Sequence, residues 1–290
     1  MLKTGLLQRN LVATVVLVTA VVAGTATADT FRIEIDYMVD TSTIGGHSHM
    51  PTQAELDAVI RMFACQGHQL ILEVSDQIPH HDVLRRDPQT GAFFSYDGEA
   101  ASFGALKDQY FDRAGQAGWH YCIFAHQYEG IDDQGNYFDS GSSGIAEILG
   151  DDLLVSLGTF AGEIGTPFDR ASTLAHEFGH NLGLTHCGSG DCDEVGNNSP
   201  VLASIMSYNY QLEGVRSGLL CNDLIPDSEA ALFRDLDYSH GRLPTLNEDS
   251  LVEVAGTAWR PVDWDCSGFI GGVVSQDLST DGPTWCGNTG

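Results

Sequence analysis

The stretch His176-Glu177-Phe178-Gly179-His180-Asn181-Leu182-Gly183-Leu184-Thr185-His186 decides how this chain is read. His176 and His180 are four residues apart. On a helix that spacing puts them on one face with about 5–6 Å between Cβ atoms, so both imidazoles can reach one ion. Leu174, Phe178 and Leu182 repeat every four residues and make the stripe the helix buries. The histidine face is turned away from that stripe, as a ligand pair facing a cleft must be. Gly183, without a Cβ, can turn left-handed and end the helix. The turn brings His186 back as a third ligand and leaves a fourth position for water. Glu177 then lies beside the metal, placed to take a proton from activated water and pass it to a leaving amine.

HExxH alone is a weak signal, but HExxHxxGxxH fixes five positions. At a background near 5% per residue, chance gives about 10⁻⁷ per position, or ~10⁻⁴ for a chain of this length. A core helix with satisfied histidines is therefore disfavoured against a zinc site. Just upstream, Thr166 is a good N-cap, Pro167 sits where proline is tolerated, and Asp169 lies in the first turn.

Outward from this helix, Phe31 to Val39 alternates like a strand. Thr52 and Glu55 form a capping box for a helix whose apolar face is Leu56, Val59, Ile60 and Phe63, closed by Gly67. Gln69 to Val74 reads as a buried strand, and residues 78–104 are turn-rich. Leu106, Tyr110, Phe111 and Ala114 suggest a second helix ending near Gly115 or Gly118. Trp119 to Ala125, Ile145 to Ile148 and Leu153 to Phe160 read as further strands. This mixture predicts an α+β or α/β domain over residues 30 to about 185. Beyond Gly183 the chain is glycine- and turn-rich, with a short helix expected around Ser228 to Leu236.

With these residues in view, the segment resembles the metzincin clan of zinc metallopeptidases. Ser204-Ile205-Met206-Ser207-Tyr208 places Met206 twenty residues beyond His186 and resembles that clan's Met-turn. Tyr208, two residues after the Met, matches the tyrosine of the astacin, serralysin and pappalysin-like branches. The resemblance implies an α+β fold: a twisted mixed sheet, an active-site helix, and an irregular lower subdomain. It implies Met206 as a structural residue beneath the metal, alongside Gly183, and Tyr208 as a catalytic residue assisting the oxyanion. It also implies a rim strand near Gly144 to Ile148 that takes extended protein or peptide substrate by adding its backbone to the sheet edge. Cys187, directly after the third histidine, matches no branch motif.

Lys3 and Arg9 precede an apolar run from Leu11 to Gly24, and Ala26-Thr27-Ala28 offers a small-x-small cleavage site. Residues 1–28 therefore read as a secretory signal, with a mature, extracellular chain starting near Asp29 and no membrane anchor. No room is left for a pro-domain before Phe31. Of thirteen Lys and Arg, eleven lie beyond that leader, against forty Asp and Glu. So acidic a surface excludes nucleic acid as a partner. It is read first as a strongly solvated surface, with calcium loops or a saline habitat as the sharper readings. Seven cysteines in the exported part permit disulfides, with Cys65–Cys122, Cys266–Cys286 and one pair drawn from 187, 192 and 221 as plausible pairings.

Asp263-Trp264-Asp265-Cys266-Ser267-Gly268 follows the start of an EF-hand-type loop, with oxygens at positions one, three and five and glycine at six. Position twelve is Val274 instead of an acid. Two readings stay open: calcium held by Asp263, Asp265 and Ser267, or an acidic loop held by a disulfide. His47, His49, His80 and His81 read as exposed loop histidines rather than a second metal site. The domain reading is residues 29–243 as a metzincin-like peptidase domain and 244–290 as a small acidic C-terminal segment. The expected function is a secreted zinc metalloendopeptidase with His176, His180 and His186 as zinc ligands and Glu177 as general base and acid. The rival is a zinc-stabilised extracellular binding or adhesion protein without turnover.

Overall fold

Strands of branched and aromatic residues, separated by helices, build a central sheet in the computed structural model. The model describes residues 28–42, 44–187, 196–215, 236–239, 246–257 and 261–278. β1 (Thr30–Val39), β2 (Gln69–Pro79), β3 (Trp119–Ala125) and β7 (Asp152–Ser156) run parallel, and β6 (Gly144–Ala146) lies antiparallel to β7 at one edge. The order is β2-β1-β3-β7-β6, a mixed sheet in a mixed α/β fold. Two small hairpins, β4 (Glu129–Ile131) with β5 (Tyr137–Asp139) and β8 (Leu251–Val252) with β9 (Val273–Val274), stand apart from it.

The period-2 alternation of the strands sends side chains to two cores. Ile33, Ile35, Cys122, Phe124, Leu153 and Val155 face α1 (Gln53–Cys65) and α3 (Pro167–Asn181), whose Leu56, Val59, Leu174 and Phe178 complete that layer. Tyr121, Ile123 and Leu154 face the other way, toward Leu84, Phe93 and α2 (Phe103–Tyr110). Leu251, Val262, Trp264 and Leu278 join the first core, so the C-terminal stretch packs against the same layer as the long helices.

Both long helices start as their sequences dictate. Thr52 with Glu55 and Thr166 with Asp169 form capping boxes, and Pro167 occupies the first turn of α3. β2 runs five residues past Val74, and α2 stops at Tyr110, short of Ala114. Phe111 leaves helical geometry and the Asp112 and Arg113 amides turn instead to the buried Glu34 carboxylate, at 2.8 and 2.9 Å.

One expected pairing is corrected. Cys65 and Cys122 are both free: Cys65 is exposed at the end of α1, while Cys122 is buried mid-strand on β3 against the helical layer. Cys187 and Cys266 each take part in a disulfide. The expected signal segment through residue 27, all of the Ser228–Leu236 helix but its last residue, and Cys192, Cys221 and Cys286 lie outside the described residues. Among the described residues no helix is long and apolar enough to cross a membrane.

Candidate metal centre and active site

The site is assembled on the last two turns of α3 and the turn that follows. His176 and His180 project from one face. Then Gly183, at φ +88°, reverses the chain, with its amide on His180 O and the Leu184 amide on Gly179 O, both at 2.9 Å. That pair of bonds is a Schellman C-cap, and it satisfies two of the helix's orphan carbonyls. A Cβ at Gly183 would also lie 2.6 Å from Leu149 Cδ2, a side-chain end that can yield, so the positive φ is what requires glycine here. The chain then returns His186, and one ring nitrogen from each of the three histidines lies within 4.8 Å of the others.

The tautomers are fixed from behind. His176 Nδ1 meets Ile205 O at 2.7 Å and His180 Nδ1 meets Leu184 O at 2.8 Å. A carbonyl can only accept, so each Nδ1 carries the proton and each Nε2 presents a lone pair. His186 Nδ1 faces Asn197 Oδ1 at 2.9 Å, and His180 Nε2 and His186 Nε2 stand 3.1 Å apart. Burial holds all three imidazoles neutral, with His176 well below its usual value and His186 lowered to about 4. Three neutral, pre-oriented nitrogens sharing one space are the donor set zinc takes, with outward partners that fix ring orientation.

Glu177 is buried, and desolvation raises its carboxyl well above the ordinary range. Its side chain lies against edge strand β6: a Cβ on Gly144 would come within 2.7 Å of Glu177 Cγ and Oε1. Sequence reading placed Gly144 on the rim but gave no reason for a glycine there. Tyr208 opens α4 (Tyr208–Gln211) and lies at the lip of the site, 41% exposed, with its ring centroid 4.2 Å from that of His186. Partial desolvation and the Glu177 charge push its phenol up to about 12, so it remains a hydrogen-bond donor at neutral pH.

Met206 is buried and packs directly under α3, where a Cβ on Gly179 would meet its Sδ at 2.5 Å. The turn that carries Met206 thus seats on the helix between the positions of His176 and His180. The residues sequence reasoning missed are Asn197, which orients His186, and Asn181. The latter donates to Glu147 O at 2.8 Å and Asp152 O at 3.0 Å and so ties the end of α3 to the β6–β7 turn. None of these three bonds has a local sequence signature, since they close over separations of 11, 34 and 29 residues.

These groups open into a cleft of about 980 Å³ lined by Tyr128, Gly144, Ile145, Phe160, Tyr208 and Gln211 around the histidines and Glu177. Among the described residues β6 pairs with β7 alone and ends the sheet, and its Gly144, Ile145 and Ala146 line the cleft.

Elsewhere, Asp263 accepts from the Ser267 and Gly268 amides at 3.1 and 2.7 Å, and Asp265 accepts from the Ser267 amide at 3.1 Å. The third carboxylate of that group is Glu253, whose ligand atom lies within 4.8 Å of theirs. The four loop histidines of the sequence reading require a correction. His47, His49 and His80 are half-buried or buried and gather with His126, while His81 stands apart from them.

No protein-family model matches the chain, and no curated protein matches it. Among solved structures the chain is similar to a zinc-dependent peptidase from Methanocorpusculum labreanum (strain Z). The two share 14% identity and a TM-score of 0.32 over 72% of this chain and 96% of that one. At that level of similarity the residues of the site, not the likeness, bear the functional reading.

Proposed function

We propose that this chain is a zinc-dependent metalloendopeptidase of metzincin type, acting outside the cell on extended protein or peptide substrates. The observation that bears most weight is the convergence of three imidazoles, each held by a protein acceptor on its far nitrogen, beside a buried carboxylate that is not one of them. A purely structural zinc would have no use for Glu177.

Bound zinc supplies Lewis acidity, polarising a carbonyl and making water acidic near neutral pH. Glu177 takes the proton from the attacking water and returns it to the leaving amine. Its desolvated setting makes the carboxylate the stronger base that this task needs. Tyr208 donates its hydroxyl proton to the developing oxyanion from the lip of the cleft. The free edge of β6 receives substrate backbone as an added strand, setting the peptide in line with Glu177.

The same reading includes calcium at the C-terminal loop, held by Asp263, Asp265 and Ser267. Glu253 supports it by standing in for the missing acid at position twelve: it is buried, and its Oε1 has no hydrogen-bond partner. Export is proposed on the leader-like residues up to Ala28.

The shape-conserving Glu177→Gln substitution tests the mechanism. Cleavage of unfolded casein is expected to fall at least about 10²–10⁴-fold while zinc content is unchanged. Wild-type turnover in that variant would remove Glu177 from the mechanism. A wild-type chain loaded with zinc and inert toward a peptide library would favour the binding-protein reading instead.

A further inference from the structure

The parallel strands β1, β2 and β3 all end on one edge of the sheet, and each delivers histidine there. The segment after β1 folds back on it, with the Asp40 amide on His47 O at 2.9 Å and the His49 amide on Met38 O at 3.0 Å. His80 directly follows β2, and His126 directly follows β3. One ring nitrogen from each of the four lies within 4.8 Å of the others, and His47 Nε2 stands 3.1 Å from His49 Nε2. The ring centroids are separated by 4.8–5.8 Å.

We propose that His47, His49, His80 and His126 form a second, structural metal site that takes one zinc ion.

Hydrogen bonding alone leaves this cluster unsatisfied. His80 Nε2 and His126 Nδ1 are buried with no hydrogen-bond partner, and leaving such a group unpaired is unfavourable. Two of the rings face carboxylates on their far side: His47 Nδ1 lies 3.2 Å from the Glu163 carboxylate, and His80 Nδ1 lies 3.6 Å from that of Asp82. Those carboxylates occupy the position of the outer partners that orient metal-bound imidazoles. His49 is 3% exposed, so the cluster is closed off from solvent on that side.

The donor set selects the ion. Four imidazoles exclude calcium and magnesium, which take oxygen, and suit a borderline ion such as zinc. Tetrahedral zinc at about 2.0–2.1 Å from each nitrogen needs ligand separations of about 3.4 Å. The observed nitrogens bracket that value, from 3.1 Å for the His47–His49 pair to no more than 4.8 Å. Four protein ligands leave no open position, so the site is structural where the three-histidine site is not. The site would also brace the approach to α3. The Gly158 amide bonds His126 O at 2.8 Å, and Glu163 belongs to the 3₁₀ turn Ala161–Glu163 that leads into that helix.

The test is a metal count on the tag-free mature chain after dialysis, by inductively coupled plasma mass spectrometry. Two zinc ions per chain are expected. His176→Gln/His180→Gln and His80→Gln/His126→Gln should each reduce the count to one. Cobalt added to the zinc-free His176→Gln/His180→Gln chain should give the strong visible absorption of a four-coordinate ion. This variant leaves all four proposed ligands intact, so the reading survives if the other variant fails to fold. No zinc and no cobalt band in the His176→Gln/His180→Gln chain would overturn the second site. A wild-type chain whose single zinc is lost on changing His80 and His126 would support it and sink the proposed catalytic centre instead.

Discussion

At the scale of single residues, what was legible was what is local. His176, Glu177, His180, Gly183 and His186 sit within eleven positions, and helix phase with one left-handed turn is enough to bring the histidines together. Gly144 was not legible, because its constraint comes from two distant partners: the Leu154 carbonyl 2.5 Å and the Glu177 side chain 2.7 Å from where a Cβ would lie. The same holds for the four-histidine cluster, whose members span residues 47 to 126 and share no spacing motif. Gly144→Ala forces β6 to shift against the Leu154 carbonyl and displaces the Glu177 carboxylate that lies against the same strand. A displacement of the base by about 1 Å costs up to about 10²-fold in rate. Steady-state kinetics on a fluorogenic peptide should show a fall of about 10–10²-fold in kcat with unchanged zinc content. Wild-type kcat would mean that the site tolerates the extra methyl.

At the scale of elements, the helix starts were readable from their caps, and the pairing of helices was not. α1 and α3 are joined at their N-terminal ends by Arg170 and Glu55, both nearly fully buried, with the guanidinium Nε on Glu55 Oε2 at 2.9 Å and Nη1 on Gly165 O at 2.9 Å. Glu55 also receives the Thr52 amide at 2.9 Å, so a residue that reads as a capping acid turns out to hold a buried ion pair as well. Arg170→Met leaves that carboxylate buried without its partner, which costs about 3–5 kcal/mol. Urea denaturation at saturating zinc should record the loss, and Arg170→Met/Glu55→Gln should recover a large part of it while keeping the cap. An Arg170→Met chain as stable as wild type would show that the pair contributes nothing net.

At the scale of the whole molecule, composition sorted the chain by class, and the alternation of strands and helices pointed to a mixed fold. The strand order β2-β1-β3-β7-β6 was out of reach, because parallel neighbours are joined by long crossovers, through α1 from β1 to β2 and through β4, β5 and β6 from β3 to β7, and leave no single turn signal between them. Equally hidden was the embedding of Trp264 and Leu278 in the core shared by α1 and α3. That embedding ties the C-terminal loop to global stability, so an ion bound there should act on the entire domain. Calcium at a hundredfold excess over its dissociation constant adds about 2.7 kcal/mol. For a domain of this size that raises Tm by about 5–10 °C. Differential scanning calorimetry on zinc-saturated protein should register the rise, and Asp263→Asn/Asp265→Asn should abolish it. An unmoved Tm in the wild type would count against calcium at the loop.

The open side of β6 has one further consequence. A row of unpaired amides and carbonyls does not distinguish a substrate from another copy of the same chain, and exposed sheet edges are where proteins begin to polymerise. Here the edge is three residues long, with serines at 142 and 143 before it and Leu149 in a left-handed conformation soon after it. It offers enough backbone to grip a short extended segment and too little to template a growing stack. A very short edge strand is one of the ways in which sheets limit pairing with further copies of themselves.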